Sequence, residues 1–149
     1  MALIVQKFGG TSVGSIERIR NVARRVAKWR AAGHSMVVVP SAMAGETNRL
    51  IALAREIQPH PDPRELDVIA STGEQVTIGL LAMALLELGL KARSYTGWQV
   101  KVQTDASYAK ARIISIDEER LRRNLAEGYI AVVAGFQGVD AQGNVTTLG

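Results

Sequence analysis

The sequence predicts an α/β domain with a largely parallel sheet and helices on both of its faces. Short apolar, β-branched runs alternate along the chain with helical segments of about 10 to 18 residues. Two of these runs, residues 36–39 and 129–134, are continuously apolar, which is typical of strands buried on both faces of a parallel sheet. With 149 residues, of which 47% are hydrophobic and 21% charged, the chain is long enough to bury one such core.

The first third of the chain predicts two strands and two helices. An apolar strand over residues 3–6 leads through the glycine-rich segment 9–14 into a helix that Ser15 caps and Gly33 ends. The buried strand 36–39 follows. A second helix then runs from about Asn48 to the proline cluster 59–63, which ends it.

The remainder predicts further helices and strands in alternation. Residues 64–70 and 75–88 are helical in composition, and the second helix is apolar nearly all round, which indicates burial. Asp117 is expected to cap a helix that Gly128 ends. The strand candidates are 91–95, 100–103, 112–116 and 129–134, and residues 140–144 predict a hairpin turn.

Composition and charge exclude several classes of protein. The chain has no cysteine, so disulfides and thiolate chemistry are excluded, and a cytoplasmic location fits best. The longest apolar stretch, residues 78–86, is shorter than the roughly 20 residues of a membrane span, so no membrane is expected as a partner. His34 and His60 lie in predicted loops without acidic residues at metal-ligand spacing, so no metal site is expected.

A net charge of +4 leaves nucleic-acid binding open as a hypothesis. The first predicted helix has a basic face with Arg18, Arg24, Arg25 and Lys28. No aromatic stacking platform accompanies this face, and Glu17 interrupts it, so a solvated helix surface is the favoured interpretation.

Three loops directly follow predicted strands and are the first candidates for a binding site. They are residues 7–14, 41–47 and 135–138. Because ligands of parallel α/β sheets bind beyond the carboxyl ends of the strands, we expect these loops to meet at one edge of the sheet.

The loop that begins with Lys7 has the chemistry of a phosphate site. The paired glycines Gly9 and Gly10 would let backbone N–H groups approach an anion, the following helix offers its positive end, and Lys7 adds a full charge. The alternative is a plain strand-to-helix turn with a solvated lysine, and the motif alone favours that alternative.

Polar residues in the other loops also have two interpretations. Ser41 would bond a phosphate or carboxylate, or cap a turn, and Thr47 would be the N-cap of the helix near Asn48. Glu74 belongs to overlapping capping boxes, Ser71 with Glu74 and Thr72 with Gln75. However, Glu74 also begins an apolar helix, so its carboxylate would lie in a low dielectric and favour a cationic partner.

Taken in order, the motifs resemble those of the aspartate kinases, within the amino acid kinase family. The resemblance covers essentially the whole chain. The segments that carry it are Lys7-Phe8-Gly9-Gly10-Thr11-Ser12-Val13, Ser41-Ala42-Met43, Thr72-Gly73-Glu74, Gly135-Phe136-Gln137-Gly138 and Thr146-Thr147-Leu148-Gly149.

The resemblance implies an amino acid kinase-like three-layer αβα sandwich, with residues 1–149 as its amino-terminal, aspartate-binding lobe. It implies ATP-dependent phosphorylation of the aspartate side-chain carboxylate to aspartyl-4-phosphate, the first step of lysine, threonine and methionine biosynthesis. ATP with Mg²⁺ would bind mostly to a carboxyl-terminal lobe, and the full-length enzyme would be a homo-oligomer.

The resemblance also implies a role for each matching residue. Lys7 would neutralise the transferring phosphoryl group, and Gly9 and Gly10 would donate backbone hydrogen bonds to phosphate. Ser41 would lie beside both substrates. The aspartate contacts would be Ser41, Thr47, Glu74 and Phe136, with Glu74 on the α-ammonium.

Members of the family continue after Thr-Thr-Leu-Gly with Arg-Gly-Gly-Ser-Asp, a nucleotide-binding lobe and regulatory ACT domains, whereas this sequence ends at Gly149. We therefore expect residues 1–149 alone to lack normal kinase activity. The alternative hypothesis is a non-catalytic interaction fragment that complements a separate nucleotide-binding lobe.

Overall fold

The computed structural model describes all residues 1–149, in eight strands and five α-helices. In chain order these are β1 (Leu3–Phe8), a 3-10 helix (Gly10–Val13), α1 (Ile16–Ala31), β2 (Ser35–Pro40), α2 (Glu46–Ile57), α3 (Pro63–Ala70), α4 (Thr72–Glu87), β3 (Ala92–Tyr95), β4 (Val102–Thr104), β5 (Ile113–Ile116), α5 (Glu119–Ala126), β6 (Ile130–Val133), β7 (Gln137–Val139) and β8 (Val145–Thr147).

The main sheet has the strand order β1-β2-β6-β3, and every neighbouring pair is parallel. On one face, the inward residues of these strands pack with α1 and α4 around buried residues such as Val38, Leu81 and Ile130. The other face packs against α5 and the segment before β4, around Val100 and Val133. The predicted α/β class with a parallel, doubly covered sheet is therefore confirmed.

A second, mixed sheet has the order β5-β4-β7-β8. β7 and β8 form the hairpin that the turn residues 140–144 predict, and Gly143 adopts φ +86° there. β4 pairs antiparallel with β5 and parallel with β7. The sequence predicts several of these strands individually but not their sheet, because the β4–β7 pairing joins residues as far apart as Gln103 and Val139.

The predicted ends of the first helix are confirmed. The Ser15 side chain accepts a hydrogen bond from the N–H of Arg18 at 3.2 Å, and Gly33 has φ +95° just beyond the helix. The predicted cap at Thr47 is wrong: the left-handed Gly45 (φ +81°) precedes the helix, which begins at Glu46, so Thr47 lies in its first turn.

The two capping boxes predicted before α4 do not form. Ser71 has helical dihedral angles, so α3 continues almost directly into α4, which begins at Thr72. The hydroxyl of Ser71 donates to the carbonyl of Val68 at 3.2 Å, and that of Thr72 donates to the carbonyl of Ile69 at 2.7 Å. The Glu74 side chain therefore takes no part in a cap.

The nearly continuous helical stretch Pro63–Glu87 is long and apolar enough to cross a membrane by length and composition, with a mean hydropathy of 1.5 over its most apolar 18-residue window. Half of that window is buried inside the protein. Ile78, Leu81 and Leu85 belong to the main core. Packing as a core helix therefore accounts for the apolar composition.

Candidate functional site

The three loops singled out in the sequence meet at the carboxyl edge of the main sheet. The N–H of Ser41 donates to the carbonyl of Phe8 at 2.9 Å, and the N–H of Gly135 donates to the carbonyl of Pro40 at 3.3 Å. The N–H of Ala44 donates to the carbonyl of Gly10 at 3.2 Å. The expected convergence of the loops is confirmed, because β1, β2 and β6 are adjacent and parallel.

Glycines allow these segments to approach one another closely. A Cβ on Gly10 would lie 3.0 Å from the carbonyl oxygen of Ala42, and a Cβ on Gly73 would lie 2.7 Å from the Cβ of Ala42. The second distance is shorter than carbon atoms tolerate, so only glycine lets the first turn of α4 rest on the loop after β2. This packing brings the α4 residue Glu74 to the same edge.

Glu74 is a buried carboxylate with an incomplete set of hydrogen bonds. Glu74 is 2% exposed, and its Oε1 accepts a hydrogen bond from the N–H of Ala42 at 3.3 Å. Oε2 is buried and has no hydrogen-bond partner. Burial raises the pKa of Glu74, while hydrogen bonds from the backbone N–H groups of Glu74 and Ala42 oppose that shift.

Glu74 also has no cation beside it: none of the ion pairs in the protein includes it. Buried carboxylates are normally paired or fully hydrogen-bonded, because an isolated charge is costly in a low dielectric. The arrangement suits a cationic group on a ligand, such as an ammonium.

Lys7 and Gly9 lie at the end of β1. Lys7 is exposed and stands opposite Val39 in the β1–β2 register, one position before the strand ends. It forms no ion pair with an acidic side chain of the chain. A Cβ on Gly9 would meet no atom within 4 Å, so packing within the protein does not require glycine there. The open space beside its backbone fits the close approach of a phosphate oxygen.

The hydroxyls of Ser41 and Thr47 are free of hydrogen bonds within the protein, and both residues are half-buried. Ser41 directly follows β2, and Thr47 lies in the first turn of α2. Helix starts carry unpaired N–H groups and partial positive charge. The two side chains are therefore available to an anionic ligand at this edge.

Phe136 is an exposed aromatic residue in an unusual backbone conformation. It is 42% exposed, with φ +67°, in the left-handed region that residues other than glycine rarely adopt. Its carbonyl accepts from the N–H of Leu148 at 2.9 Å. Such strained residues concentrate at functional sites, where the surrounding structure holds them in place.

Sequence reasoning missed Asp67, a buried carboxylate of α3. Asp67 is 1% exposed, and its carboxylate accepts from the N–H of Ala109, from the N–H of Thr147 at 2.9 Å and from the hydroxyl of Thr147 at 2.7 Å. It thereby joins α3 to the end of β8. The only signal in the sequence is an acidic residue within an otherwise apolar helical turn.

The chain offers no cluster of three or more histidine, cysteine, aspartate or glutamate side chains that would hold a metal ion. Mg²⁺ requires several oxygen ligands in near-octahedral geometry. The side chains of this chain therefore do not supply the ligand set of a Mg²⁺ site.

The parallel sheet, the open glycine loop beside a lysine and the buried carboxylate define a class: α/β domains that bind small charged metabolites beyond the ends of parallel strands. Within that class, the chain belongs to the amino acid kinase family, whose family model matches residues 2–149.

Curated and solved relatives agree with this family. The chain is similar to an aspartate kinase of Pseudomonas putida, with 66% identity over 149 residues, which are 100% of this chain and 36% of that protein. The crystal structure of aspartate kinase from Synechocystis matches 99% of this chain and 24% of its own, with 47% identity and a TM-score of 0.82. The chain thus spans about a third of the length of the curated relatives that it matches.

The fold also matches that of E. coli aspartokinase III, which was solved in complex with aspartate and ADP. That likeness has a TM-score of 0.85 at 24% identity, covers 99% of this chain and 43% of the other, and supports the fold alone. The roles of Lys7, Gly9, Gly10, Ser41, Thr47, Glu74 and Phe136 in this chain stay predictions.

Proposed function

We propose that residues 1–149 form the aspartate- and phosphate-contacting lobe of an aspartate kinase. The complete enzyme would transfer the γ-phosphoryl group of ATP to the side-chain carboxylate of aspartate. The observation that carries this proposal is the buried carboxylate of Glu74, which has a free oxygen and no cation of its own beside the three loops. The α-ammonium of an amino acid supplies the missing charge.

The proposed phosphoryl transfer requires only positioning and charge stabilisation from the protein. A carboxylate oxygen of aspartate forms a bond to the γ-phosphorus, and the bond from that phosphorus to the bridging oxygen of ADP breaks. No general base is required, because the attacking carboxylate is already ionised at neutral pH. The protein must position the two substrates and stabilise the negative charge of the phosphoryl group.

Each loop has a part in that task. The ammonium of Lys7 and the N–H groups of Gly9 and Gly10 neutralise the phosphoryl oxygens, and Ser41 lies between the two substrates. Thr47 and Phe136 hold the aspartate that Glu74 orients. ATP, carried with Mg²⁺, would bind mainly to the carboxyl-terminal lobe that the resemblance to aspartate kinases implies.

The wider context is part of the same proposal. The product, aspartyl-4-phosphate, would enter lysine, threonine and methionine synthesis in the cytoplasm, and the complete enzyme would be a homo-oligomer. The absence of cysteine is compatible with a reducing compartment. Because the chain covers 36% of the P. putida relative, activity is proposed for the complete protein and not for residues 1–149 alone.

The test is aspartate-dependent turnover by the complete protein, measured by trapping the acyl phosphate with hydroxylamine. Lys7→Ala should lower kcat by about 10²-fold or more with a much smaller change in the KM for aspartate, as expected for a group that stabilises transition-state charge. Lys28→Ala, which removes an exposed lysine of α1, is the matched control and should behave like the unchanged protein.

Two outcomes would contradict the proposal at different levels. If the unchanged protein forms no hydroxamate from aspartate and ATP, the proposed function is wrong. If it does so but Lys7→Ala retains its kcat, the function stands and the role given to Lys7 is wrong.

A further inference from the structure

The side chain of Gln137 connects the segment that carries Phe136 to the turn that precedes Glu74. We infer that Gln137 is a positioning residue, which holds these two predicted aspartate contacts at the separation that aspartate requires. This inference rests on the proposed function. Gln137 itself is 1% exposed and would not touch the substrate.

Both polar atoms of the Gln137 carboxamide are hydrogen-bonded, each to a different partner. Its Nε2 donates to the carbonyl of Ser71 at 2.9 Å, and its Oε1 accepts from the N–H of Gly97 at 3.1 Å. Because a carbonyl only accepts and an N–H only donates, these partners permit one orientation of the amide. A buried carboxamide satisfied in this way is rigid.

The bond to Ser71 fixes the start of α4. Ser71 immediately precedes α4, three positions before Glu74, and a helix transmits the placement of its first turn to its neighbours. The bond from Gln137 to Ser71 is the one side-chain hydrogen bond that joins residues 135–138 to residues 71–74. On its other side, this turn rests on Ala42 through Gly73, so the turn is held from two directions.

The bond to Gly97 fixes the segment that contains Phe136. A Cβ on Gly97 would lie 2.6 Å from the carbonyl oxygen of Gln137 and 2.9 Å from its carbonyl carbon, so the two backbones are in close contact. Gln137 also pairs with Thr147 in the β7–β8 ladder. These restraints act on the residue next to Phe136, whose left-handed conformation has to be maintained by its surroundings.

The consequence for binding is specific to one substrate. Aspartate would contact Phe136 and Glu74 at the same time, so a shift between their two segments weakens the contacts to aspartate. Neither segment is proposed to hold ATP, whose transferring phosphoryl group would lie at the β1 loop. Loss of the Gln137 bonds should therefore raise the KM for aspartate and leave the KM for ATP nearly unchanged.

The test is steady-state kinetics of the complete enzyme with Gln137→Met, which keeps the approximate shape of the side chain and removes both hydrogen bonds. The KM for aspartate should rise about tenfold, the effect of losing one good contact to a charged ligand, while the KM for ATP changes by less than about twofold. Gln137→Glu, which retains an acceptor for Gly97 but loses the donor to Ser71, should likewise raise the KM for aspartate and leave the KM for ATP nearly unchanged.

Thr104→Val is the matched control. Thr104 and Thr146 are both buried, and their hydroxyls share a hydrogen bond of 2.6 Å in the second sheet. Both side chains pack beside Gly138, next to Gln137, but neither bonds to Ser71 or Gly97, so this variant loosens the same strands without breaking the Gln137 link. The control should lower Tm as Gln137→Met does but leave the KM for aspartate unchanged.

The possible failures are distinguishable. An unchanged KM for aspartate in Gln137→Glu and in any folded Gln137→Met protein would overturn the inference, as would an equal rise for aspartate and ATP or an equal rise in Thr104→Val. No aspartate-dependent turnover in the unchanged enzyme would instead overturn the proposed function.

Discussion

Glu74 is the residue on which the proposed site depends most. Its carboxylate is withdrawn from water, accepts a hydrogen bond from the Ala42 N–H through Oε1 and leaves Oε2 without a partner. A buried carboxylate without a cation destabilises the ligand-free protein slightly. It therefore favours the binding of a ligand that supplies a positive charge. An uncompensated buried charge is expected at a binding site, because it does not stabilise the fold itself.

The raised pKa of Glu74 gives a prediction for stability and pH. The folded protein holds the Glu74 proton more tightly than the unfolded chain does, since burial raises this pKa. As the pH rises from the ordinary carboxyl range through the raised pKa, the unfolded chain ionises first and the folded state loses stability. The Gln side chain of Glu74→Gln cannot ionise. The Tm of this variant minus that of the unchanged protein should therefore increase as the pH rises from the ordinary carboxyl range through the raised pKa, and should be constant above it.

Thermal unfolding of both proteins from acidic to neutral pH measures this difference. Glu87→Gln, which removes an exposed glutamate at the other end of α4, controls for the loss of one surface charge. A Tm difference for Glu74→Gln that stays constant with pH, or that falls as the pH rises, would show that Glu74 is not a desolvated carboxylate.

At this scale the sequence predicted part of the site. Glu74 at the start of an apolar helix indicated a carboxylate in a low dielectric, and the structure confirms its burial. The competing capping interpretation was wrong because the hydroxyls of Ser71 and Thr72 bond back into α3, an alternative that local patterns do not distinguish. Gln137 could not be foreseen, because its partners are 66 and 40 positions away.

At the scale of elements, the buried carboxylate of Asp67 joins α3 to the second sheet. Asp67 joins this helix to β8 and to Ala109, which has φ +68° and donates its N–H to both carboxylate oxygens at 3.1 and 2.9 Å. Every hydrogen-bond partner of the Asp67 carboxylate, the N–H of Ala109 and the N–H and hydroxyl of Thr147, is a donor. The carboxylate therefore stabilises a left-handed alanine as well as the contact between two elements.

Asp67→Asn tests this connection. The amide would place an N–H group against N–H or hydroxyl donors, leaving buried groups without acceptors, so the free energy of unfolding should fall by about 2–4 kcal/mol. Urea denaturation of the two proteins measures the loss. Asp117→Asn is a control at an exposed site where one oxygen accepts from the N–H of Glu119, and it should change the stability by less than about 0.5 kcal/mol. An equally small change for Asp67→Asn would contradict the account.

The elements themselves were largely predictable. Continuous apolar runs identified β2 and β6, and Ser15 and Gly33 marked the ends of α1, because these signals are local. The second sheet was not predictable as a unit. Its strands β4, β7 and β8 have three residues each, and their pairing is decided by tertiary contacts such as the buried Thr104–Thr146 hydrogen bond.

At the scale of the whole molecule, topology creates the site. The order β1-β2-β6 places three chain segments that are far apart in sequence side by side, with their carboxyl ends at one edge. Close glycine contacts then bring α4 to the same edge. The sequence predicted that the loops would converge, but the strand order and the approach of Gly73 to Ala42 required the three-dimensional structure.

The central claim is that these segments form one binding site for aspartate. The most direct measurement is a titration of the ¹⁵N-labelled chain with aspartate, followed by the backbone amide signals in two-dimensional NMR spectra. The account predicts shifts concentrated at Gly9, Ala42, Glu74 and Gly135, and their loss in Glu74→Gln. Shifts that cluster elsewhere, that are absent, or that persist unchanged in Glu74→Gln would contradict it.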